Sequence, residues 1–507
     1  MTTPRDQQPP GGFAGASRAS GRPPAALAIA IAVAATALAW LAASPPERAG
    51  ASSHQPNVVV VITDDQDARL MWPMKQTLKR LAGYGVTFNR SYATNPVCCP
   101  SRATFLTGQY SHNHGVLTNS PPDGGIGPFE PSEDETIAVA LDDAGYRTGF
   151  VGKYLNGYPN VAAADPGYKP PGWDRWFAMT KIGMFDWELN RNGKLKEYGS
   201  LKRHYNTDVL ARDSKRFIAE SATDDEPFFL TVMTSAPHGE RERRFAEVNP
   251  RPAPRHRNRF PKLKLAKPPS FNRFAVGKPE FLQRPKFTKG QRKRLRAKRQ
   301  GRARSLVAVD ELVSGIVDEL RAGGKIGDTY LIFTSDNGFL LGEHRLTLKS
   351  LPYEESARVP LIVRGPGLPH GLEIEQPVGN IDLAPTILDL AGAAPLIEPD
   401  GVSLLDVIAD PGSFDDRRIL IEKYNYGDLD AEGAAIRTAG FAYINQVIEG
   451  EPFEELYDMR PDTEAYDPFQ LDNRFDDPTL GLERALLEAW LADLRDCAGT
   501  GPVNGCD

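Results

Sequence analysis

From Asn57 onward, short β-branched runs alternate with stretches whose apolar positions recur every three or four residues. That alternation is the pattern of an α/β protein. Asn57 to Thr63 (NVVVVIT) is apolar at successive positions, so both of its faces need cover and it predicts a central, buried strand. Arg147 to Val151, Phe228 to Met233 and Tyr330 to Thr334 predict three further strands. Leu306, Val309, Val313, Ile316 and Leu320 repeat at helical spacing. Ser132 to Ala144 predicts another helix, with Ser132 and Glu135 as a capping box and Gly145 as its stop. The expected fold is α/β, a mixed and largely parallel central sheet flanked by helices.

The pattern changes at both ends. Arg5, Arg18 and Arg22 precede an Ala-rich apolar run, residues 25–43, followed by Ser44-Pro45-Pro46. The run is close to the length that crosses a bilayer, so it reads either as a signal-peptide core or as a membrane anchor. Both readings put the remainder of the chain outside the cytoplasm, secreted or anchored. After about residue 395 the elements shorten and acids, Pro and Asp punctuate them. The expected division is a leader and linker over 1–55, a main domain over 56–395, and a smaller α+β subdomain over 396–507. The last of these should hold a few antiparallel strands and a closing helix from Leu482 to Leu494.

Charge and cysteine usage refine this picture. The formal charge is −6, yet 23 of the 60 Lys and Arg residues lie between Arg241 and Arg304 beside three acids. One basic insertion therefore sits in an otherwise acidic chain. It lies beside a candidate catalytic core, so nucleic acid is not the expected partner. A solvated charged helix explains it, as does steering of an anionic substrate. Of four cysteines, Cys497 and Cys506 flank a Gly-rich loop and suit a local disulfide in an oxidising compartment. Cys98 and Cys99 are adjacent and need another explanation.

In open α/β sheets, ligands bind beyond the carboxyl ends of the strands. The four expected strands run into Asp64-Asp65, into Gly152-Lys153, through Ser235-Ala236-Pro237 into His238, and through Ser335 into Asp336-Asn337-Gly338. Taken singly, Asp64-Asp65 is a capping pair and Asp336-Asn337-Gly338 a turn. Taken together they argue for one site. Two carboxylates at one strand end and a carboxylate plus an amide at another form an all-oxygen set, suited to Ca²⁺ or Mg²⁺ more than to Zn²⁺.

Asn95 to Gly108 reads NPVCCPSRATFLTG. Pro96 and Pro100 restrict the backbone around the cysteines, and a helix can start there, with its N-terminus favouring an anion. Arg102 adds a permanent forked cation. Cys98-Cys99-Pro100-Ser101-Arg102, continued by Leu106-Thr107-Gly108, resembles the C-x-P-S-R and L-T-G signature of the sulfatase family. The resemblance extends from about Asn57 to Asn473 and includes Glu455-Leu456-Tyr457-Asp458, similar to the family's C-terminal E-L-Y-D stretch. Gly152-Lys153-Tyr154-Leu155-Asn156 is similar to the branch containing glucosamine-6-sulfatases and extracellular sulfatases.

The resemblance implies an alkaline-phosphatase-like fold and hydrolysis of sugar or aryl sulfate esters. It implies that Cys98 is converted to formylglycine by a formylglycine-generating enzyme, and that Ca²⁺, or Mg²⁺, is bound by Asp64, Asp65, Asp336 and Asn337 with the modified Cys98. It implies that Arg102, Lys153 and Lys349 hold the sulfate and that His238 protonates the departing alcohol. One hydroxyl of the hydrated aldehyde would attack sulfur and the second would expel sulfate. One departure matters: many arylsulfatases carry a histidine two residues after the lysine matching Lys153, where this chain has Leu155. The motif therefore assigns no base for sulfate release.

His112 and His114 read as packing residues, whereas His344 in Gly342-Glu343-His344 is expected to face substrate. Two rival readings stand beside sulfate hydrolysis. One is a phosphoester or phosphonate monoester hydrolase using the same modified cysteine. The other is a tethered glycan-binding protein without catalysis.

Overall fold

The computed structural model describes residues 55–507 apart from 161–164, 242–246, 274–276, 280–281, 348, 426–430, 449, 502–504 and 507. The apolar run at 25–43 lies outside the described residues. Among those described, no helix is long and apolar enough to cross a membrane.

Ten strands form the main sheet: β1 (Asn57–Thr63), β2 (Val86–Phe88), β3 (Arg147–Gly152), β4 (Arg175–Lys181), β5 (Trp187–Arg191), β6 (Lys194–Tyr198), β7 (Phe228–Met233), β8 (Thr329–Ser335), β9 (Leu361–Arg364) and β10 (Leu372–Ile374). Their spatial order is β10-β2-β9-β8-β1-β7-β3-β4-β5-β6. The central strands β8, β1, β7, β3 and β4 are mutually parallel. Antiparallel pairs begin at β8–β9 on one side and β4–β5 on the other. The sheet is mixed and largely parallel at its centre, as the pattern predicts.

The unbroken apolar run of β1 follows from burial on both faces. Val58, Val60 and Ile62 pack in a core that includes Phe105 of α1 (Cys98–Thr107), Leu141 of α2 (Ile137–Asp143) and Ile387. Val59 and Val61 pack on the other face, with Phe217 of α3 (Asn206–Ser221) and Val309, Val313 and Ile316 of α4 (Lys289–Ala322). Ile387 belongs to α5 (Leu383–Ala391).

Two expectations about helices change. Ser132 and Glu135 fall in a 3₁₀ turn, Glu130–Glu135, and the α-helix starts only after Thr136, which is extended. The turn closes because Pro131 opens it and Glu133 points inward, accepting from the Tyr154 hydroxyl at 3.2 Å and from the Tyr168 hydroxyl. The apolar pattern at 306–320 marks only the inner half of α4. The helix begins at Lys289, where Thr288 and Gln291 form a true capping box, so its first turns carry much of the basic insertion.

The C-terminal subdomain is an antiparallel sheet of β11 (Ile419–Lys423), β12 (Ala431–Arg437), β13 (Phe441–Ile448) and β14 (Glu451–Asp458), in sequential order. Both faces are covered. Ile419, Ile421, Ala435 and Ile444 face Leu346, Leu351 and Tyr353 of the main domain. Leu420, Ile436 and Leu456 face Leu487, Leu491 and Leu494 of α6 (Gly481–Arg495), the expected closing helix. Cys497 and Cys506 are disulfide-bonded. Gln55 to Asp507 forms one compact unit.

Candidate active site

Backbone hydrogen bonds align the ends of the central strands. The Asp336 N–H donates to the Thr63 carbonyl at 3.0 Å, that of Asp64 to Ala236 at 3.2 Å, and that of Lys153 to Met233 at 2.9 Å. The residues following β1, β8, β3 and β7 are thereby brought to one edge. Gly152 permits the approach beside Lys153. Its φ is +129°, and a Cβ there would lie 1.9 Å from the Met233 carbonyl oxygen. Asp65 adopts φ +69° without being glycine, a conformation kept where surrounding contacts enforce it. Those contacts are the Asp65 N–H donating to Asp336 Oδ1 at 3.0 Å and Arg302 donating to the Asp65 carbonyl.

Cys98 is the first residue of α1, behind an extended Val97, so its sulfur meets the positive end of the helix. The sulfur lies 3.3 Å from Asp64 Oδ1 and 4.0 Å from Asp65 Oδ1. Lys349 Nζ is 2.6 Å from the sulfur and 2.6 Å from Asp65 Oδ1. Lys153 Nζ donates to Asp64 Oδ2 at 2.5 Å. Arg102 Nε donates to Asp336 Oδ2 at 2.9 Å, and its Nη2 is 3.5 Å from Asp64 Oδ2. Asn337 Nδ2 donates to Asp65 Oδ1 at 2.7 Å. His238 Nδ1 donates to the Gly239 carbonyl and its Nε2 lies 3.6 Å from Asp65 Oδ2.

Every residue expected at the centre is therefore within one cluster, except His344. That histidine is 2% exposed, lies against the Tyr353 ring and has Nε2 3.7 Å from Glu355 Oε2. It does not line the cleft over Cys98, so its expected contact with substrate is withdrawn. It is buried between Glu355 and the Tyr353 ring. His112 and His114 pack as expected, His112 on Glu422 and the Cys497 carbonyl, His114 on Thr104.

Three buried cations face three buried carboxylates, which makes the cluster a coupled electrostatic unit. Burial opposes ionisation of Asp64, but Lys153, His238, Arg102 and Lys349 outweigh it and hold the carboxyl well below its usual range. Asp65 is also held low, against burial, by Lys349 and His238. Burial and the neighbouring Asp64 push Asp336 up despite Arg102. Burial, then Asp64, push the Cys98 thiol far up in spite of the two lysines.

The cluster could hold a metal ion. Ligand-type atoms of Asp64, Asp65, Cys98 and His238 lie within 4.8 Å of one another. Two ammonium groups already rest on the carboxylates of Asp64 and Asp65, so the oxygens are gathered around positive charge. A cleft of about 380 Å³ opens over the cluster. Its walls add Asn119, Asn156, Tyr158, Met184 and Glu240, which sequence reasoning missed because nothing in their spacing ties them to Cys98. Arg302, which fixes the Asp65 carbonyl, was hidden among the many arginines of the basic insertion.

A family model described as Sulfatase matches residues 56–393. A second, for the C-terminal part of N-sulphoglucosamine sulphohydrolase, matches 342–496. The N-acetylglucosamine-6-sulfatase of Capra hircus is 36% identical over 371 residues, covering 71% of this chain and 65% of that protein. The N-acetylglucosamine-6-O-sulfatase of Bacteroides thetaiotaomicron is 26% identical over 499 residues, covering 83% of each. The chain spans 49% to 65% of the length of the first curated relatives that it matches. A solved structure in complex with its substrate D-glucosamine-2-N,6-O-disulfate superposes with TM-score 0.72 at 22% identity, over 87% of this chain and 97% of the other. The phosphonate monoester hydrolase of Agrobacterium radiobacter superposes with TM-score 0.64 at 21% identity, over 87% and 95%. At these identities the two superpositions speak for the alkaline-phosphatase-like fold alone. The length and identity of the family matches carry more: this chain is a member of the sulfatase family.

Proposed function

We propose that the chain hydrolyses sulfate esters of sugars outside the cytoplasm, with Cys98 as the precursor of its nucleophile. The observation that carries this reading is the convergence of Asp64, Asp65 and Lys349 on the Cys98 sulfur, within 4.0 Å. Asp64, Asp65, Asp336 and Asn337 would hold Ca²⁺, or Mg²⁺ in its place. When bound, the ion would add two positive charges to a cluster whose cations and carboxylates otherwise balance, which suits an anionic ester. Formylglycine made from Cys98 would supply, once hydrated, one hydroxyl to attack sulfur and another whose deprotonation releases sulfate.

The chain's own residues have separable tasks. Lys153, Lys349 and Arg102 hold the sulfate oxygens and are themselves fixed by Asp64, Asp65 and Asp336. Because these charges are set before substrate arrives, little reorganisation is needed as negative charge moves toward the leaving oxygen. His238 stands at the cleft wall with Nε2 toward the centre, placed to give a proton to the leaving alcohol. Asn119, Asn156 and Glu240 offer polar contacts to a sugar, while Met184 and Tyr158 offer an apolar face. Sugar sulfates are favoured over phosphonates because relatives named for N-acetylglucosamine sulfates match in sequence, whereas the likeness to the phosphonate monoester hydrolase, at 21% identity, is one of fold.

Residues 56–395 serve as the catalytic domain and 396–507 as its supporting subdomain. The Cys497–Cys506 disulfide and the 34% identity over 376 residues to an extracellular sulfatase homolog of Drosophila melanogaster support the extracytoplasmic reading. Two measurements test the proposal. Mass spectrometry of the Cys98 peptide should find formylglycine. Release of sulfate from N-acetylglucosamine 6-sulfate should exceed release of phosphate from the matching 6-phosphate. An unmodified thiol in active protein removes the nucleophile, and a preference for phosphate removes the sulfatase reading.

A further inference from the structure

The inner stripe of α4, made of Leu306, Val309, Val313, Ile316 and Leu320, is apolar and buried. Continued one step toward the N-terminus at helical spacing, the stripe reaches Arg302, which is 2% exposed. A cation buried where packing alone would place an aliphatic side chain is costly to desolvate, so its contacts matter.

Arg302 reaches both of the segments that supply the carboxylate cradle. Its Nη2 donates to the carbonyl of Asp65, in the segment that follows β1. Its guanidinium stands 4.9 Å from the centre of the Phe339 ring, in the segment that follows β8 and carries Asp336 and Asn337. Lys298, one turn earlier on α4, has Nζ 4.8 Å from the same ring centre. Asp67, just beyond Asp65, interacts electrostatically with the Arg302 charge. Arg302 does not line the cleft over Cys98. Asp65 is the residue that needs such a hold, because its φ of +69° lies in the left-handed region that a side chain disfavours.

We propose that Arg302 is a positioning residue for the divalent cation: by tying the Asp65 carbonyl and the Phe339 ring to one buried helix, it keeps the Asp65 carboxylate aimed at the centre it shares with Asp64, Asp336 and Asn337. Without that tie the Asp65 backbone relaxes toward ordinary φ and its carboxylate turns away. The inference rests on the ion site of the proposed function and adds a residue that touches neither ion nor substrate. Groups that orient metal ligands in this way are worth about 10- to 100-fold in metal affinity. The charge of Arg302 acts in the opposite direction, since a nearby cation repels Ca²⁺. The sign of the effect therefore separates positioning from charge.

Calorimetric titration of Ca²⁺ into the chelator-stripped full chain, held below its melting temperature, tests the proposal. Arg302→Met, with neither donor nor charge, should raise the Kd for Ca²⁺ about 10- to 100-fold. Arg302→Lys, which keeps a donor for the Asp65 carbonyl, should recover most of that loss. KM for a sulfate ester should not change in Arg302→Met, and saturating Ca²⁺ should return kcat toward the parent value. Unchanged or tighter Ca²⁺ binding in folded Arg302→Met overturns the proposal. Where Arg302→Met does not fold, Phe339→Leu carries the test. It deletes the ring that Arg302 and Lys298 hold and should weaken Ca²⁺ severalfold, and unchanged affinity there overturns the proposal equally. A parent chain that binds no divalent ion removes the ion site and this inference together. Sulfate release is scored separately and decides the sulfatase reading on its own.

Discussion

Lys349 Nζ sits 2.6 Å from both the Cys98 sulfur and Asp65 Oδ1, so one ammonium links the nucleophile position to the carboxylate cradle. Lys349→Ala should lower kcat/KM for sulfate esters by about 10²–10³-fold, the loss typical of one preorganised charge. Steady-state sulfate release checks this, with circular dichroism confirming the fold. A change under threefold would mean that Lys349 does not touch the reacting group.

Three carboxylates buried this closely, Asp64, Asp65 and Asp336, should bind the divalent ion tightly enough to stabilise the fold. Chelation should lower Tm, and added Ca²⁺ should restore it. At a free ion concentration 100-fold above Kd the stabilisation is about 2.7 kcal/mol. A thermal melt insensitive to both chelator and Ca²⁺ would leave the cradle as a salt-bridge cluster only.

His238 should matter in proportion to how badly the leaving group needs a proton. His238→Gln should cost about 10²-fold or more on a sugar sulfate, whose alkoxide is a poor leaving group. On nitrophenyl sulfate, which departs without protonation, the cost should be much smaller. Comparing the two substrates on one variant is the test, and equal losses would argue for a binding role instead.

Glu133 supplies a pH-dependent prediction about stability. Burial pushes its carboxyl from 4.5 up to about 7. An acid whose folded pKa is raised destabilises the fold once ionised. The loss begins above its unfolded pKa near 4.5 and is complete above 7. Glu133→Gln keeps the group neutral, so its stability relative to the parent should improve from pH 4.5 to 8 by about 3 kcal/mol at most. Urea midpoints at the two pH values measure the difference, and a pH-independent difference would contradict it.

The parts of this centre that were legible in the sequence are those fixed by strand ends. A buried parallel strand has a readable apolar run, and the polar residue after it must fall at the carboxyl edge, so Asp64, Lys153, His238 and Asp336 were found together. Lys349 came only through family resemblance, since it follows an irregular loop. What spacing could not show was set by tertiary contacts. Arg302 reaches the Asp65 carbonyl from a helix far along the chain. His344, polar and next to a metal-type segment, is turned inward by Glu355 and Tyr353. Ser132 and Glu135 had the residue types of a helix cap, but Pro131 and the inward pull on Glu133 spent them in a 3₁₀ turn.

The C-terminal sheet presses Ile419, Ile421 and Ile444 against Leu351 and Tyr353, close after Lys349. The loop that delivers the lysine is thus moulded from outside by a part of the chain that, among its described residues, contributes no group to the reaction centre. Grafting the tail of a relative onto this protein would retune that loop even with every residue before 396 untouched. A working chimera would have to exchange residues 339–357 together with the sheet that shapes them.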